Sequence, residues 1–451
     1  MVSSVVGSWA NQGCPCYTTE ELLAWIQERN QTLTVHVTPN RLSESTFWFY
    51  DKSTGQIVNQ NHSFFQISGI RAEDEQGLEQ PVILQDEIGF LGILCHEING
   101  TLHFLMQAKI EPGNVNKIQI SPTLQATKSN FTQKHGGGRP PYLDYFLHAE
   151  RYRILVDQIQ SEQSSRFYKK RNRNVIVYVE DEVPALPSHR WMTLGQIKRL
   201  MRCDNLVNMD TRTVLSCIPF ALMEDTEERL RRYFQNQALY RSIFCPEGYT
   251  DIQRIFHGIN NCKMFCKPAP RLVRLDELSG WEMDDFGIRC RKPYSFSAIY
   301  CDIEVEGREV RKWTQPLFKA EGIAVLGLYT TITDGKQKFL TRIRPEIGCF
   351  DGVELGPAVQ REAVCLREEN EIDRAFMAQY ARRERVLYDV LLSEEGGRFY
   401  HEENRNIILE TDYFEPPAGY FWADYRTLNL LAQFNNCLNI QLRNLLSLLE
   451  V

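Results

Sequence analysis

The sequence predicts an α+β fold, two tandem, duplicated α/β modules with mixed sheets. Two observations carry that prediction. An internal repeat runs at a constant offset through both halves, and within each half helical segments alternate with strand-like ones, partly through hairpin turns.

Residues 80–125 align with 315–360 without a gap. The twelve identical pairs are Gln80/Gln315, Pro81/Pro316, Ile88/Ile323, Leu91/Leu326, Gly92/Gly327, Gly100/Gly335, Phe104/Phe339, Leu105/Leu340, Glu111/Glu346, Gly113/Gly348, Pro122/Pro357 and Gln125/Gln360. Average residue usage would give about three. Downstream, RFYKKRNRN at 166–174 pairs with RFYHEENRN at 398–406, and NLVNMDTRTVLS at 205–216 with NCLNIQLRNLLS at 436–447. The order is the same in both copies. It divides the chain into an N-terminal module over 1–220, a helical linker over 221–280 and a C-terminal module over 281–451.

Within a module the elements follow from local chemistry. TTEELLAWIQERNQ opens a helix, with Thr18 and Thr19 as cap and glutamates in the first turn. GFLGILCHEINGTLHFLMQAKI reads as two strands joined at Asn99-Gly100, and Asp334-Gly335 supplies the same turn in the second copy. NVIVYVED reads as a strand, and LGQIKRLMRCDNLVNMDTRTVLSC as one or two helices around an Asn-rich turn. In the linker, MEDTEERLRRYFQNQALYRSIF reads as a helical run.

Bulk properties exclude several function classes. A formal net charge of -7 argues against a nucleic-acid partner, which would need a basic face. No apolar run is long enough for a membrane span, and MVSSVVGSWANQG lacks the basic start of a signal peptide. Thirteen scattered cysteines, an odd number, suit reduced thiols in a cytoplasmic protein. Cys14 with Cys16, and His257 with Cys262 and Cys266, lack the spacing and the fourth ligand of a zinc site, so no metal is expected.

Polar chemistry concentrates in FLMQAKIEPGNVNKIQISPTLQATKSNFTQKHGGGRPPYLDYF, residues 104–146. Side chains two apart on a strand share a face, so Gln107, Lys109 and Glu111 form a polar row, with Leu105, Ala108 and Ile110 mostly opposite. After the Pro112-Gly113 turn, Lys117, Gln119 and Ser121 alternate against Ile118 and Ile120. Alternation alone fits a sheet with one solvated face better than a pocket wall. The Gln and Ser in the row, and the loop KHGGGRPPY that follows, shift the balance toward a pocket. Glycines there would let the backbone approach a ligand and Arg139 would suit a phosphate, although a surface turn explains the loop as well. GxxxxGK[ST], GxGxxG and GxSxG are all absent. RNRN and ENRN fit a phosphate contact and a structural role about equally.

Across most of its length the chain resembles the NDP-hexose 2,3-dehydratase family. The resemblance rests on FWFYDKSTGQIVNQNHSFFQISGI, MQAKIEPGNVNKIQISPTLQATKSN, FYKKRNRNVIVYVEDEVP, WMTLGQIKRLMRCDNLVNMDTRTVLSCIP, REVRKWTQPLF, ELGPAVQ and FYHEENRN, in that order. It implies Nudix-like modules, a homodimer, and a dTDP-4-keto-6-deoxyhexose substrate losing water across carbons 2 and 3 without a cofactor. A 3-ketoreductase would consume the product. Two rival readings are a Nudix-like nucleotide-sugar hydrolase, against which the missing REUxEExGU box counts, and a non-catalytic nucleotide-sugar-binding protein.

Under the dehydratase reading, Glu111 or His135 is the base, Lys109 stabilises the enolate, and Tyr142 is the acid or a sugar ligand. Gln107, Asn114, Gln119, Gln125, Thr127, Ser129, Asn130 and Arg139 would bind sugar or diphosphate. Glu111 has a structural rival role, because the second copy keeps it as Glu346. The second copy also changes Lys109 to Arg344, Pro112 to Ile347, Asn114 to Cys349 and Ser121 to Gly356, and replaces SNFTQKHGGG by CLREENEIDRAF. One active pocket, in the N-terminal module, is therefore expected.

Overall fold

The computed structural model describes residues 2–11, 16–72, 77–128, 138–225, 228–245, 250–265, 270–306, 310–364 and 369–451. It is a mixed α/β structure built on four sheets, two for each half of the chain.

The larger sheet of the first half runs Arg153–Ser161, Arg171–Tyr178, Gly89–Ile98, Thr101–Ile110, His189–Met192. Ile118–Ser121 flanks Thr101–Ile110, and Leu124–Ala126 flanks Gly89–Ile98. Arg171–Tyr178 pairs in parallel with Gly89–Ile98, while the other pairs are antiparallel. In the second half, Ala324–Thr333 and Lys336–Pro345 form the corresponding hairpin, and Glu403–Glu410 lies parallel to Ala324–Thr333. Val386–Ser393, Val353–Pro357, Val359–Arg361 and Tyr420–Asp424 complete that sheet.

The turn chemistry explains the two hairpins. Asn99 and Gly100 have φ of 51° and 75°, and Asp334 and Gly335 have 53° and 72°. Positive φ at both positions is what a tight two-residue turn needs to match the strand twist. Thr18 caps the helix Thr19–Thr32 through a full capping box with Glu21. Downstream the Asn-rich segment gives two helices, Leu194–Leu200 and Met209–Ser216, and Asn208 caps the second.

The smaller sheets tie the halves together by reciprocal strand exchange. Val35–Pro39 pairs antiparallel with Phe296–Val305 in the second half. Arg271–Val273 pairs antiparallel with Gln66–Arg71 in the first. Each half also presses a turn into the other. Gly113 donates its N–H to the Gly396 carbonyl at 2.7 Å, and Gly348 donates to the Ser164 carbonyl at 2.9 Å. A Cβ at Gly113 would overlap the Phe399 carbonyl oxygen, and one at Gly348 would overlap that of Phe167, so glycine is needed at both seams. The largest hydrophobic cluster draws buried side chains from both halves, including Phe104, Ile120 and Val214 with Phe339, Leu355 and Leu445. Burying one such side chain fully is worth about 1.5–3 kcal/mol, so this shared core favours holding the halves as one body.

Two sequence expectations change. Residues 223–244 do not form one helix: Arg229–Tyr233 is a short 3-10 turn and only Gln237–Phe244 is α-helical. Asp225 takes the Arg229 and Leu230 amides, and Asn236 caps a new helix start, so local side-chain acceptors interrupt the run. Leu105 lies on the Gln107 face, not opposite it, where it packs with Leu94, Trp191 and Phe146. Among the described residues, no helix is long and apolar enough to cross a membrane.

Candidate active site

The polar row forms as the strand period requires. Gln107, Lys109 and Glu111 share one face of Thr101–Ile110, while Ala108 and Ile110 join the shared core. Lys109 Nζ sits 3.0 Å from Glu111 Oε1. Gln125 Nε2 donates to the same Glu111 oxygen at 3.1 Å. Asn208 fixes Gln125 in turn, donating through Nδ2 to Gln125 Oε1 at 3.2 Å and to Ser121 Oγ at 2.9 Å. Its own Oδ1 accepts from the Thr211 amide, so one Asn caps a helix and orients the carboxylate's partner. Glu111 is 4% exposed and therefore sits at the closed end of the row.

Around this core lies a group of charged residues that sequence reasoning did not select. Asp210 follows Asn208 by two residues; burial, and then the charges of Glu162 and Glu111, push its carboxyl well above the usual range. Glu395 reaches in from the second half, and burial followed by the Glu111 charge also raises it. Arg398 enters on the same turn, donating to the Gly397 carbonyl at 2.8 Å. Lys170 donates to the Glu87 carbonyl, and burial lowers its pKa. Asn172 donates to Glu162 at 2.6 Å. Lys170 and Asn172 belong to RFYKKRNRN and Arg398 to RFYHEENRN, so these repeated motifs supply groups to this cluster. The missed signal was that identical spacing in two copies can place one copy's residues in the other copy's site.

The remaining sequence candidates fall in three places. Gln107 stays on the row, with His189 directly opposite it on the neighbouring strand. Burial pushes the His189 imidazole down to about 4, and its Nε2 donates to the Thr123 carbonyl at 3.1 Å. Thr127 follows Leu124–Ala126, and its Oγ1 is buried without a partner among the described residues. Asn114 and Gln119 lie at the seam between halves: a Cβ at Gly396 would overlap Asn114, and Gln119 Nε2 donates to Ser393 Oγ. Arg139 forms an exposed ion pair with Asp144. Tyr142 caps a short helix with φ of 59°, and its hydroxyl donates to the Pro184 carbonyl at 2.9 Å while accepting from the Leu186 amide. Ser129, Asn130 and His135 lie outside the described residues. Of the metal candidates, Cys14 and Cys266 lie there too, and His257 Nε2 is bonded to Asn261 at 2.9 Å.

The second half builds an equivalent constellation. Gln360 Nε2 donates to Glu346 Oε1 at 2.7 Å, and Asn439 Nδ2 donates to Gln360 Oε1 at 3.1 Å. Arg344 stands at the Lys109 position but donates to the Gln360 carbonyl at 2.7 Å. The segment CLREENEIDRAF, which replaces SNFTQKHGGG, runs into a helix, Glu371–Ala381, whose Phe376 packs on Gly327 as Phe146 packs on Gly92.

Comparison with known proteins now bears on what this site serves. The model of the NDP-hexose 2,3-dehydratase family matches residues 19–218 and 253–449. Three curated relatives carry the name dTDP-4-dehydro-6-deoxy-alpha-D-glucopyranose 2,3-dehydratase. The protein from Saccharopolyspora spinosa is 39% identical, over 96% of this chain and 91% of its own length. That from Streptomyces violaceoruber is 36% identical, over 94% and 95% respectively. That from Amycolatopsis orientalis is 35% identical, over 95% and 89%. With a buried Glu–Gln–Asn array in each half and the family match spanning both, the chain belongs to the NDP-hexose 2,3-dehydratase family.

Proposed function

We propose that this enzyme removes water from dTDP-4-keto-6-deoxyglucose, giving the 3,4-diketo-2,6-dideoxy sugar nucleotide, and that the chemistry runs in the first-half constellation. The observation that carries the reading is the Lys109–Glu111–Gln125 array, a carboxylate held between a cation and an amide donor at the end of a polar row.

The 4-ketone acidifies the proton on carbon 3. Glu111 takes that proton, and Lys109 stabilises the enolate oxygen. The enolate then expels the carbon-2 hydroxyl, which leaves as water after receiving a proton. Tyr142, an acid candidate from sequence, keeps its hydroxyl proton on the Pro184 carbonyl. The proton is assigned instead to Asp210, whose carboxyl is held toward its protonated form by burial and neighbouring carboxylates. Tyr142 and Arg139 then position the 184–186 and 138–144 segments, and Gln107 and Gln125 meet the sugar. The enol tautomerises to the diketone without further help.

The modules over 1–220 and 281–451, with 221–280 between them, are proposed to be Nudix-like copies from one duplication, and the enzyme a cytoplasmic homodimer. Its unstable product is proposed to pass to a 3-ketoreductase. The test is incubation with dTDP-4-keto-6-deoxyglucose in chelator, with a 3-ketoreductase and NADPH to trap the product for mass spectrometry. A trapped 2,6-dideoxy sugar nucleotide is expected; free dTMP and sugar phosphate, or unchanged substrate, would overturn the reading.

A further inference from the structure

Arg398 and Arg166 are equivalents in the two halves. Each directly precedes a two-residue strand, Phe399–Tyr400 or Phe167–Tyr168, that pairs in parallel with the corresponding strand of the smaller sheet. Each guanidinium lies over a phenylalanine ring, Arg398 at 4.3 Å from the Phe65 centroid and Arg166 at 4.2 Å from that of Phe296. A shelf for a weakly hydrated cation is thus built twice.

The two shelves differ in what meets the charge. Arg166 ion-pairs with Glu362 at 3.1 Å. Thr127 occupies the Glu362 position in the first half, since Ala126 pairs with Phe90 as Arg361 pairs with Val325. Among the described residues Arg398 donates to neutral acceptors alone, the Gly397 carbonyl at 2.8 Å and Gln85 Oε1 at 3.3 Å. Its Nε, like that of Arg166, is buried without a hydrogen-bond partner among the described residues, and so is the Thr127 Oγ1. Lys170 stands in the first half where Glu402 stands in the second, adding positive charge beside Arg398 in place of negative charge beside Arg166. Glu395, Glu111, Glu87 and Glu162 lie in electrostatic range of Arg398, but none of them ion-pairs with it among the described residues, and burial and mutual repulsion favour the protonated form of Glu395. An inward cation whose equivalent meets a carboxylate, with a hydroxyl at the carboxylate's position in the repeat, marks a place for an anion carried by a ligand.

We infer that Arg398 and Thr127 form an anion subsite of the first pocket, which takes the diphosphate of the nucleotide sugar. The inference rests on the proposed nucleotide-sugar substrate. A diphosphate suits the place because it is charged before reaction begins, and because a guanidinium fork can hold two of its oxygens while the threonine hydroxyl donates to a third. The second half supplies this cation, so the first pocket is incomplete without it.

Calorimetric titration of the full-length chain with thymidine diphosphate, and separately with thymidine, tests the subsite. Arg398→Gln should weaken thymidine diphosphate binding about 10–100-fold and leave thymidine affinity unchanged. Thr127→Glu imports the second half's own neutralising carboxylate at a half-buried position and should do the same. It keeps the test decisive if Arg398→Gln fails to fold. Failure of the wild-type chain to bind thymidine diphosphate would overturn the inference, as would variants that bind it as tightly as wild type. A loss of turnover with unchanged thymidine diphosphate affinity would place Arg398 on the enolate oxygen and also overturn it. Arg398-dependent thymidine diphosphate binding without any turnover would support the subsite and sink the proposed reaction instead.

Discussion

The Glu111 and Glu346 constellations share a frame and differ in several of the charged residues around it. In both, an Asn that caps a helix holds a Gln, and the Gln holds a buried Glu. Around Glu111 stand Lys109, Asp210, Glu395 and Lys170; at the equivalent positions around Glu346 stand Arg344, Gln441, Gln163 and Glu402. Two of the carboxyls near Glu111 that burial shifts toward the protonated form, Asp210 and Glu395, are amides in the second half. The comparison teaches that the carboxylate and its amide are a frame common to both halves, and that what would make Glu111 a base and leave Glu346 idle is the set of neighbours that changes between them.

Glu111→Gln and Glu346→Gln test this most severely. Losing a positioned base costs about 10²–10⁴ in rate, so turnover of Glu111→Gln should fall by that factor while Glu346→Gln stays near wild type. Equal losses in a steady-state assay would break the comparison and make both carboxylates structural or both catalytic. Lys109→Met against Arg344→Met should give a smaller contrast, about 10²–10³ in kcat for the first and little for the second. If Arg344→Met lost as much, the cation would be serving the frame.

Much of the frame was legible in the sequence. Asn99-Gly100 and Asp334-Gly335 can close only tight hairpins, and the strand period put Gln107, Lys109 and Glu111 on one face. What escaped were contacts of long sequence separation. RFYHEENRN was visible as a repeat, yet nothing local to it says that Arg398 turns toward Glu111, nearly three hundred residues earlier. Asn114 and Gln119 looked like pocket residues because they continue the polar pattern, but the pattern cannot tell a pocket from a seam with another half. Tyr142 is similar: its residue type suits an acid, and only the fold shows Pro184 and Leu186 holding its hydroxyl.

Stability should be symmetric where activity is not. Gly113→Ala and Gly348→Ala each push a methyl group into a carbonyl of the opposite half. Overpacking of this kind costs about 1–3 kcal/mol, and both variants should show similarly lowered melting temperatures. A large loss for one variant alone would mean that the seams are unequal, and that reciprocal docking is not what holds the halves together.

The finest difference concerns one seam position, Gln119 in the first half and Glu354 in the second. Burial raises the Glu354 carboxyl to about 8, with Ser161 and Arg443 pulling the other way. Its unfolded value is near 4.3, so between roughly pH 4 and 8 the folded chain holds a proton that the unfolded chain has released. The contribution of this carboxyl to stability therefore falls as pH rises through that window. Glu354→Gln copies the neutral side chain of the first half and removes this loss. Its melting temperature relative to wild type should thus be higher at pH 8 than at pH 5. An unchanged difference at the two pH values would mean that the carboxyl titrates normally, and that Arg443 at the seam neutralises a charge where Gln119 presents none.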